Sequence, residues 1–181
     1  MGIHGSPTCV MNFDGAYGIL IGERCKGLQG MFIMMNELRL GCAIHGLSQS
    51  ELAYQNAVDY AKERKQGTKL TEGKSGSLTS IVDHPDVRRM LMDVRSINEA
   101  ARLLILEAAT LVDVVNADGS TTDMAVEADI KRQKEDAEDR LGLMTPVLKG
   151  VITDYGVENA IKMQQVWGFI VTGKQIGRAH V

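Results

Sequence analysis

Arg64, in the stretch from Tyr60 to Lys65, has a side chain whose chemistry suits phosphate binding. A guanidinium presents a fixed fork of N–H donors that matches phosphate oxygens. An arginine at the end of a helix is also an ordinary solvent-exposed residue, where its charge suits the helix dipole. The residue type alone leaves both interpretations open.

The carboxylates, histidines and cysteines form no recognisable catalytic or metal-binding pattern. We interpret the glutamates in segments predicted to be helical as exposed carboxylates on helix surfaces. The histidines lack ligand spacing and the cysteines lack a Cys-x-x-Cys pair, so we predict neither a metal site nor disulfides, only reduced and largely buried thiols. The residues concerned are Glu37, Glu63, Glu99, Glu158, His4, His45, His84, His180, Cys9, Cys25 and Cys42.

The composition is that of a globular piece with one core. The chain has 181 residues, of which 44% are hydrophobic and 24% charged, and a formal net charge of -3. This balance gives no electrostatic footprint for nucleic acid, and no stretch approaches the ~20 apolar residues that span a bilayer. We therefore expect a cytoplasmic protein with no nucleic-acid and no membrane partner.

Apolar residues recur at helical spacing from about Lys26 to Lys65. Within this region Ser48 and Glu51 have the spacing of a capping box, which would begin a second helix. One continuous helix through the whole region is the alternative.

Two further helical regions are bounded by breaker residues. Asp83 as N-cap and Pro85 in the first turn start a helix whose apolar face runs from Val87 to Val115. The mixed charges of residues 127–140 predict a solvated helix face. Pro146 either starts a fresh helix or interrupts a longer one.

The first residues alternate apolar and turn types at once, which indicates the middle of a larger protein. Cys9 to Phe13 and Gly18 to Ile21 flank an Asp14-Gly15 turn and predict a hairpin-like remnant of a sheet. Two strands alone are marginal in water, so such a remnant depends on a sheet outside it. We expect the chain to be a fragment.

Four ordered blocks resemble the acyl-CoA dehydrogenases where their central β-domain joins the C-terminal helical domain. They are Met1 to Asp14, Gly22 to Leu28, Met34 to Leu40 and Tyr60 to Arg64. His84 to Leu91 and Leu143 to Lys149 resemble the branch that includes 3-methylmercaptopropionyl-CoA dehydrogenases. The implied fold is mainly α, an incomplete antiparallel helical bundle with a short N-terminal β remnant. The resemblance also implies one continuous helix from about Lys26 to Lys65, which we favour over two helices, with Gly41 and Gly46 allowing close packing against neighbours.

The resemblance also implies domain limits. Residues 1–25 correspond to a remnant of the central β-domain and 26–168 to an incomplete helical C-terminal domain. Gln165-Val166-Trp167-Gly168 resembles the start of the family's Gln-Val-x-Gly-Gly-x-Gly-Tyr turn, but Phe169 replaces the second glycine. Residues 175–181 match a translated short-read sequencing adapter, so we expect 169–181 to be a non-native tail. The alternative is a genuine basic tail from Lys174 to His180.

The implied activity is FAD-dependent oxidation of an acyl-CoA thioester to the trans-2-enoyl-CoA. A glutamate removes the α-proton in this family, and in the resembled branch it lies in a Tyr-Glu-Gly-Thr motif that this sequence lacks. The prediction is no catalytic residue and a fragment that is inactive alone. An acyl-CoA substrate, an acceptor such as electron-transferring flavoprotein, and a homo-oligomer are the implied partners.

The resemblance assigns binding positions to four residues. Arg64 corresponds to the arginine that reaches the FAD pyrophosphate across a subunit interface. Gln165 and Gly168 match the turn whose side-chain amide and close backbone approach meet the dinucleotide. Arg39 matches a helix arginine near the acyl-CoA cleft, with a salt-bridged surface residue as the alternative.

An alternative function comes from another class of protein. The apolar face from Val87 to Val115 has near-heptad spacing, which is also typical of a surface that seats partner helices. On this interpretation the chain is a non-catalytic helical-bundle interaction module.

Overall fold

The computed structural model describes residues 5, 7–69, 76–119 and 124–168. Residues 1–4 and 6 of the predicted β remnant, and the whole predicted tail from 169 to 181, lie outside the described residues. The chain divides into two units, Met1–Met34 and Met35–Val181. The mainly α fold is confirmed, because the described residues form three long helices. No helix in these ranges is both long and apolar enough to cross a membrane.

The predicted hairpin is wrong for the described residues of the first unit. The turn forms, with Gly15 at φ +65° and the Ala16 N–H donating to the Phe13 carbonyl at 3.3 Å. No residue from 7 to 26 lies in a strand, however. Two short apolar runs bury too little surface to pair without a larger sheet. The assignment of residues 1–25 to a β-domain stays a prediction.

Helix α1, Gly27–Glu63, is continuous, as we favoured over two shorter helices. The Ser48 hydroxyl donates to the Ile44 carbonyl at 2.8 Å and does not cap a new helix. Leu47 and Ser50, on either side of it, are buried in the bundle. Tertiary packing therefore overrides the local capping pattern.

Helix α2, Pro85–Asn116, begins at the predicted proline but not at the predicted cap. Residues Ile81–Asp83 form a turn of 3₁₀-helix, and His84, with extended backbone, is the N-cap. The assignment of Asp83 as N-cap is wrong because Asp83 lies inside the 3₁₀ turn, one residue before the cap. Its carboxylate accepts a hydrogen bond from the Thr79 hydroxyl, at 2.7 Å.

Helix α3, Met124–Val166, contains Pro146 in its interior, so the interpretation as one longer helix is right. The Thr145 hydroxyl donates to the Leu141 carbonyl at 2.6 Å, next to the proline that removes one backbone donor. The charged run 127–140 is largely exposed, as predicted. It carries a local ion pair between Arg132 and Asp129 at 2.9 Å.

The core of the second unit consists of two hydrophobic clusters. The first comprises Ala43, Leu47, Ala101, Ile105, Ala108, Leu148 and Ile152. The second comprises Ala57, Ala61, Ile81, Leu91, Val94, Met163 and Val166. Helices α1 and α3 pass from the first cluster to the second, whereas α2 passes from the second to the first. The bundle is therefore antiparallel, with α2 running against both of its neighbours.

A buried polar layer separates the two clusters, with one side chain from each helix. Ser50, Asn98 and Asn159 are exposed by 2%, 2% and 0%. The Ser50 hydroxyl donates to Asn98 Oδ1 at 2.5 Å and accepts from Asn159 Nδ2 at 2.9 Å. Asn98 Nδ2 in turn donates to Glu51 at 3.0 Å. Sliding any helix would strand buried amides without partners, so this layer sets the alignment of the helices.

Two glycines allow α1 and α3 to cross closely. A Cβ on Gly46 would lie 2.7 Å from the Ile152 carbonyl oxygen, and one on Gly156 would lie 2.9 Å from the Gly46 carbonyl oxygen. The predicted packing role of Gly46 is confirmed. The same prediction for Gly41 is wrong, because a Cβ there meets nothing within 4 Å in the described part of the chain.

We expect Gly46→Ala to lower the free energy of unfolding by roughly 1–3 kcal/mol, because its methyl group meets backbone that cannot turn away. Gly41→Ala, in the same helix, should raise it by about 0.5–1 kcal/mol through helix propensity. Urea unfolding followed by far-UV circular dichroism measures both. Equal effects of the two substitutions would contradict the close crossing.

Ser50→Ala should cost about 1–3 kcal/mol of stability, since it leaves the Asn98 and Asn159 amides without their buried partner. Ser48→Ala, which removes only an exposed hydroxyl bonded within its own helix, should change stability by less than about 0.5 kcal/mol. The same unfolding measurement compares them. A Ser50 variant as stable as the Ser48 variant would show that the layer contributes nothing.

Candidate functional site

The ends of α1 and α3 meet at one end of the bundle. The rings of Tyr60 and Trp167 stack there, with centroids 4.6 Å apart and an interplanar angle of 11°. Val166, 4% exposed, belongs to the same hydrophobic cluster as Ala57 and Ala61. Because Tyr60 precedes Arg64 by one helical turn and Trp167 lies between Gln165 and Gly168, the structure brings three of the four predicted site residues to one end.

Arg64 is the first residue after α1. Its N–H donates to the Tyr60 carbonyl and its carbonyl accepts from the Ile81 N–H, both at 2.8 Å. The side chain is exposed. Among the described residues its guanidinium makes no ion pair. The backbone is thus held while the charged group is free to meet an anion.

Gln165 and Gly168 form the turn that ends α3. Gly168 has φ +67°, and its N–H donates to the Gln165 carbonyl at 3.0 Å. This left-handed conformation after a helix strongly favours glycine. Both residues are exposed, so the Gln165 amide and the backbone of Gly168 are accessible to a ligand.

Arg39 lies in α1, away from this end. Its guanidinium donates to Asn36 Oδ1 at 3.1 Å, and the side chain is half-buried. With a helical rise of ~1.5 Å per residue, Arg39 and Arg64 lie roughly 35 Å apart. The structure therefore does not bring Arg39 into the same site as the other three residues.

The segment after Arg64 is held by a short backbone pairing that the sequence did not reveal. Lys65 and Ser80 form an antiparallel bridge, and the Gln66 N–H donates to the Thr79 carbonyl at 2.9 Å. His84 Nε2 lies 2.7 Å from the Gln66 carbonyl. His84 is thus structural, as its isolated place in the sequence suggested.

Asp83 contacts both the segment that follows Arg64 and the start of α2, and we call this region the Asp83 junction. Asp83 accepts from Thr79, and Lys69 and Arg88 each approach it at 3.5 Å. The hydrogen bond from Thr79, helped by the two cations, lowers the pKa of the Asp83 carboxyl below its ordinary value. The carboxylate therefore stays ionised beside the segment that carries Arg64.

A groove of about 780 Å³ lies between α1 and α3. Small and apolar residues line much of it, and Trp167 and Gln164 stand at the end nearest the Gly168 turn. No cluster of three metal-ligating side chains occurs in the part of the chain that the structure describes. The expectation of buried thiols is wrong for Cys9 and Cys25, which are exposed, while Cys42 is half-buried at the groove.

The Tyr60–Trp167 pair was missed by sequence reasoning. The sequence did contain a signal for this pair, because aromatic residues make up only 4% of it. One of them lies in the motif from Tyr60 to Arg64 and another in the motif from Gln165 to Gly168. Their contact joins residues far apart along the chain, and only the packing of α1 against α3 decides it.

Residues 26–130 match the acyl-CoA dehydrogenase C-terminal domain. The chain belongs to the acyl-CoA dehydrogenase family. The matched residues include the whole of α1 and α2, and the predicted family is confirmed.

Three relatives show how much of a dehydrogenase the chain represents. The 3-methylmercaptopropionyl-CoA dehydrogenase of Ruegeria pomeroyi, from the predicted branch, is 35% identical over 93% of this chain and 26% of its own length. A butyryl-CoA dehydrogenase of Syntrophomonas wolfei is 35% identical over 94% of this chain and 28% of its own. The caffeyl-CoA reductase-Etf complex subunit CarC of Acetobacterium woodii is 33% identical over 51% of this chain and 22% of its own length. The chain spans about a quarter of these relatives' length.

Acidification should weaken the junction at Asp83. Because its pKa is lower in the folded chain, the ionised carboxyl stabilises the fold near neutral pH and this contribution is lost as the pH falls through the lowered pKa. We expect wild type to be more stable than Asp83→Asn near neutral pH, with the difference shrinking in acid. Thermal unfolding against pH measures it, with Asp59→Asn on the exposed side of α1 as control. A pH-independent difference for Asp83→Asn would contradict the assignment.

Proposed function

We propose that this chain is the helical C-terminal part of an FAD-dependent acyl-CoA dehydrogenase and that one end of its bundle binds the dinucleotide. The observation that carries the proposal is the meeting of two separate motif segments, ending in Arg64 and in Gly168, at that end. Neither segment alone suffices, because an exposed arginine and a helix-ending glycine are common. Their convergence supports a shared ligand.

The residues at this end suit a dinucleotide pyrophosphate. The exposed guanidinium of Arg64 has no competing carboxylate partner among the described residues and offers a fork of donors to phosphate oxygens. Gly168 has no Cβ within its exposed turn, so a ligand can approach its backbone. The Gln165 amide adds both a donor and an acceptor. We assign Arg64, Gln165 and Gly168 to this site.

FAD, when bound, supplies the redox chemistry that makes a trans-2-enoyl thioester from an acyl-CoA. The chain's own contribution is binding and orientation. The glutamates Glu37, Glu63, Glu99 and Glu158 are all exposed on helices, and we assign none of them as a base. A base that removes an α-proton needs a defined position against the substrate carbon, which none of them has. We infer that the chain alone does not turn over acyl-CoA.

The wider assignments belong to the whole dehydrogenase. An acyl-CoA substrate, with Arg39 toward its cleft, follows from the family resemblance, as does a cytoplasmic location. An electron-transferring flavoprotein as acceptor gains support from the relative named as part of an Etf complex. Large exposed apolar side chains, such as Leu103 at 67% and Leu143 at 71%, support assembly with further protein, including a homo-oligomer.

The alternative of an interaction module loses its main support. Much of the apolar face between Val87 and Val115 is buried against the chain's own helices, whereas Leu104 in this face is 44% exposed. Leu91, Val94 and Ile105, for example, all lie in the two core clusters. The buried part of this face is therefore occupied by the chain's own helices, which weakens the case for a surface that seats partner helices.

Arg64→Ala should weaken FAD binding about tenfold or more, because a charge-assisted hydrogen bond to phosphate is lost. Arg64→Lys should retain part of the affinity, since lysine keeps the charge but not the fork. Equilibrium dialysis of the full chain with FAD measures the dissociation constants. Arg132→Ala, 82% exposed on α3, is the matched control and should bind like wild type.

Equal affinities of the Arg64→Ala and Arg132→Ala proteins would reject the pyrophosphate role. Absence of FAD binding by a chain that is shown to be folded would reject the dinucleotide site as a whole. Far-UV circular dichroism of each sample separates these results from misfolding.

A further inference from the structure

We propose that Tyr60 and Trp167 are a positioning pair, whose stacking sets Arg64 and the Gly168 turn in place relative to each other. Their ring centroids, 4.6 Å apart with planes at 11°, fall within the range of offset-stacked aromatic pairs. The expected effect of the pair on FAD binding rests on the proposed function, whereas its expected effect on the order of the backbone does not.

Each ring is connected to a site residue through backbone hydrogen bonds. The Tyr60 carbonyl accepts a hydrogen bond from the Arg64 N–H at 2.8 Å, so the position of Tyr60 determines the position of Arg64 at the end of α1. The Trp167 N–H donates to the Met163 carbonyl at 3.3 Å, and the next residue turns back toward Gln165. Moving either ring therefore moves the backbone of a residue that we propose to bind the dinucleotide.

The pair lies at the rim of the bundle. Met163 and Val166, exposed by 1% and 4%, already anchor α3 in the second cluster. Trp167 lies beyond the last residue of α3 and is 38% exposed. Helix ends open more readily than their middles. A stack across two helix ends therefore acts mainly on these terminal turns and only slightly on the stability of the core.

Amide hydrogen exchange of the full chain tests the pair without any ligand. In Trp167→Ala, the amides of Arg64, residue 167 and Gly168 should exchange roughly three- to tenfold faster than in wild type. Trp167→Phe, which keeps an aromatic ring, should restore most of the protection. Arg132→Ala, a large-to-small change at a side chain that is 82% exposed on α3, is the control.

Unchanged exchange at these amides in Trp167→Ala would overturn the proposal. Equal acceleration at core amides, such as those of Ala101 and Ile105, would also overturn it, because the residue would then act on global stability. Tyr60→Leu gives an independent reading, since the chain has one tryptophan and its fluorescence reports this contact. We expect its emission to change in Tyr60→Leu and to stay near wild type in Tyr60→Phe.

A double-mutant cycle on FAD affinity tests whether the pair acts through Arg64. Trp167→Ala should weaken binding roughly three- to tenfold in wild type but have little further effect in Arg64→Ala. Additive losses would overturn the positioning role. If no variant and no wild-type sample binds FAD, the proposed function fails, and the exchange experiment still decides the positioning pair on its own.

Discussion

The alignment of the three helices depends on the buried hydrogen bonds among Ser50, Asn98 and Asn159. Apolar clusters lie on both sides of this layer, and apolar contacts alone tolerate small shifts of one helix along another. Buried amides do not, because each loses its partner when the helix slides. The layer therefore selects one register, and the glycine crossing of α1 and α3 brings the two parallel helices together in that register.

The candidate site is a consequence of this alignment. Arg64 and Gly168 lie just beyond the ends of α1 and α3, so their separation depends on where the two helices stop and on how far one is displaced along the other. The second cluster holds these ends from inside the bundle, and Tyr60 and Trp167 meet at the rim. The Asp83 junction then holds the chain that leaves α1. A helix-end site of this kind is built almost wholly from terminal turns, which packing elsewhere in the bundle must position.

The same arrangement of long helices bears on the role proposed for this chain. A bundle of long helices presents well-ordered ends and carries exposed carboxylates along its sides, but it does not by itself enclose a reacting carbon. The ordered ends of the helices therefore suit the proposed role of holding an extended dinucleotide.

Local sequence signals determined the helical character of this chain, the start of α2 at Pro85, the solvated charged run and the motif residues from which the family was predicted. These features depend on periodicity, on proline geometry or on residue identity, all of which act over a few neighbouring positions. Only the tertiary structure decided between alternatives that are locally equal. It kept α1 continuous through Ser48, it distinguished Gly46 from Gly41, and it left the N-terminal runs unpaired. It also assembled the polar layer and the aromatic stack, because contacts between residues on different helices depend on register, and register is a property of the packed bundle.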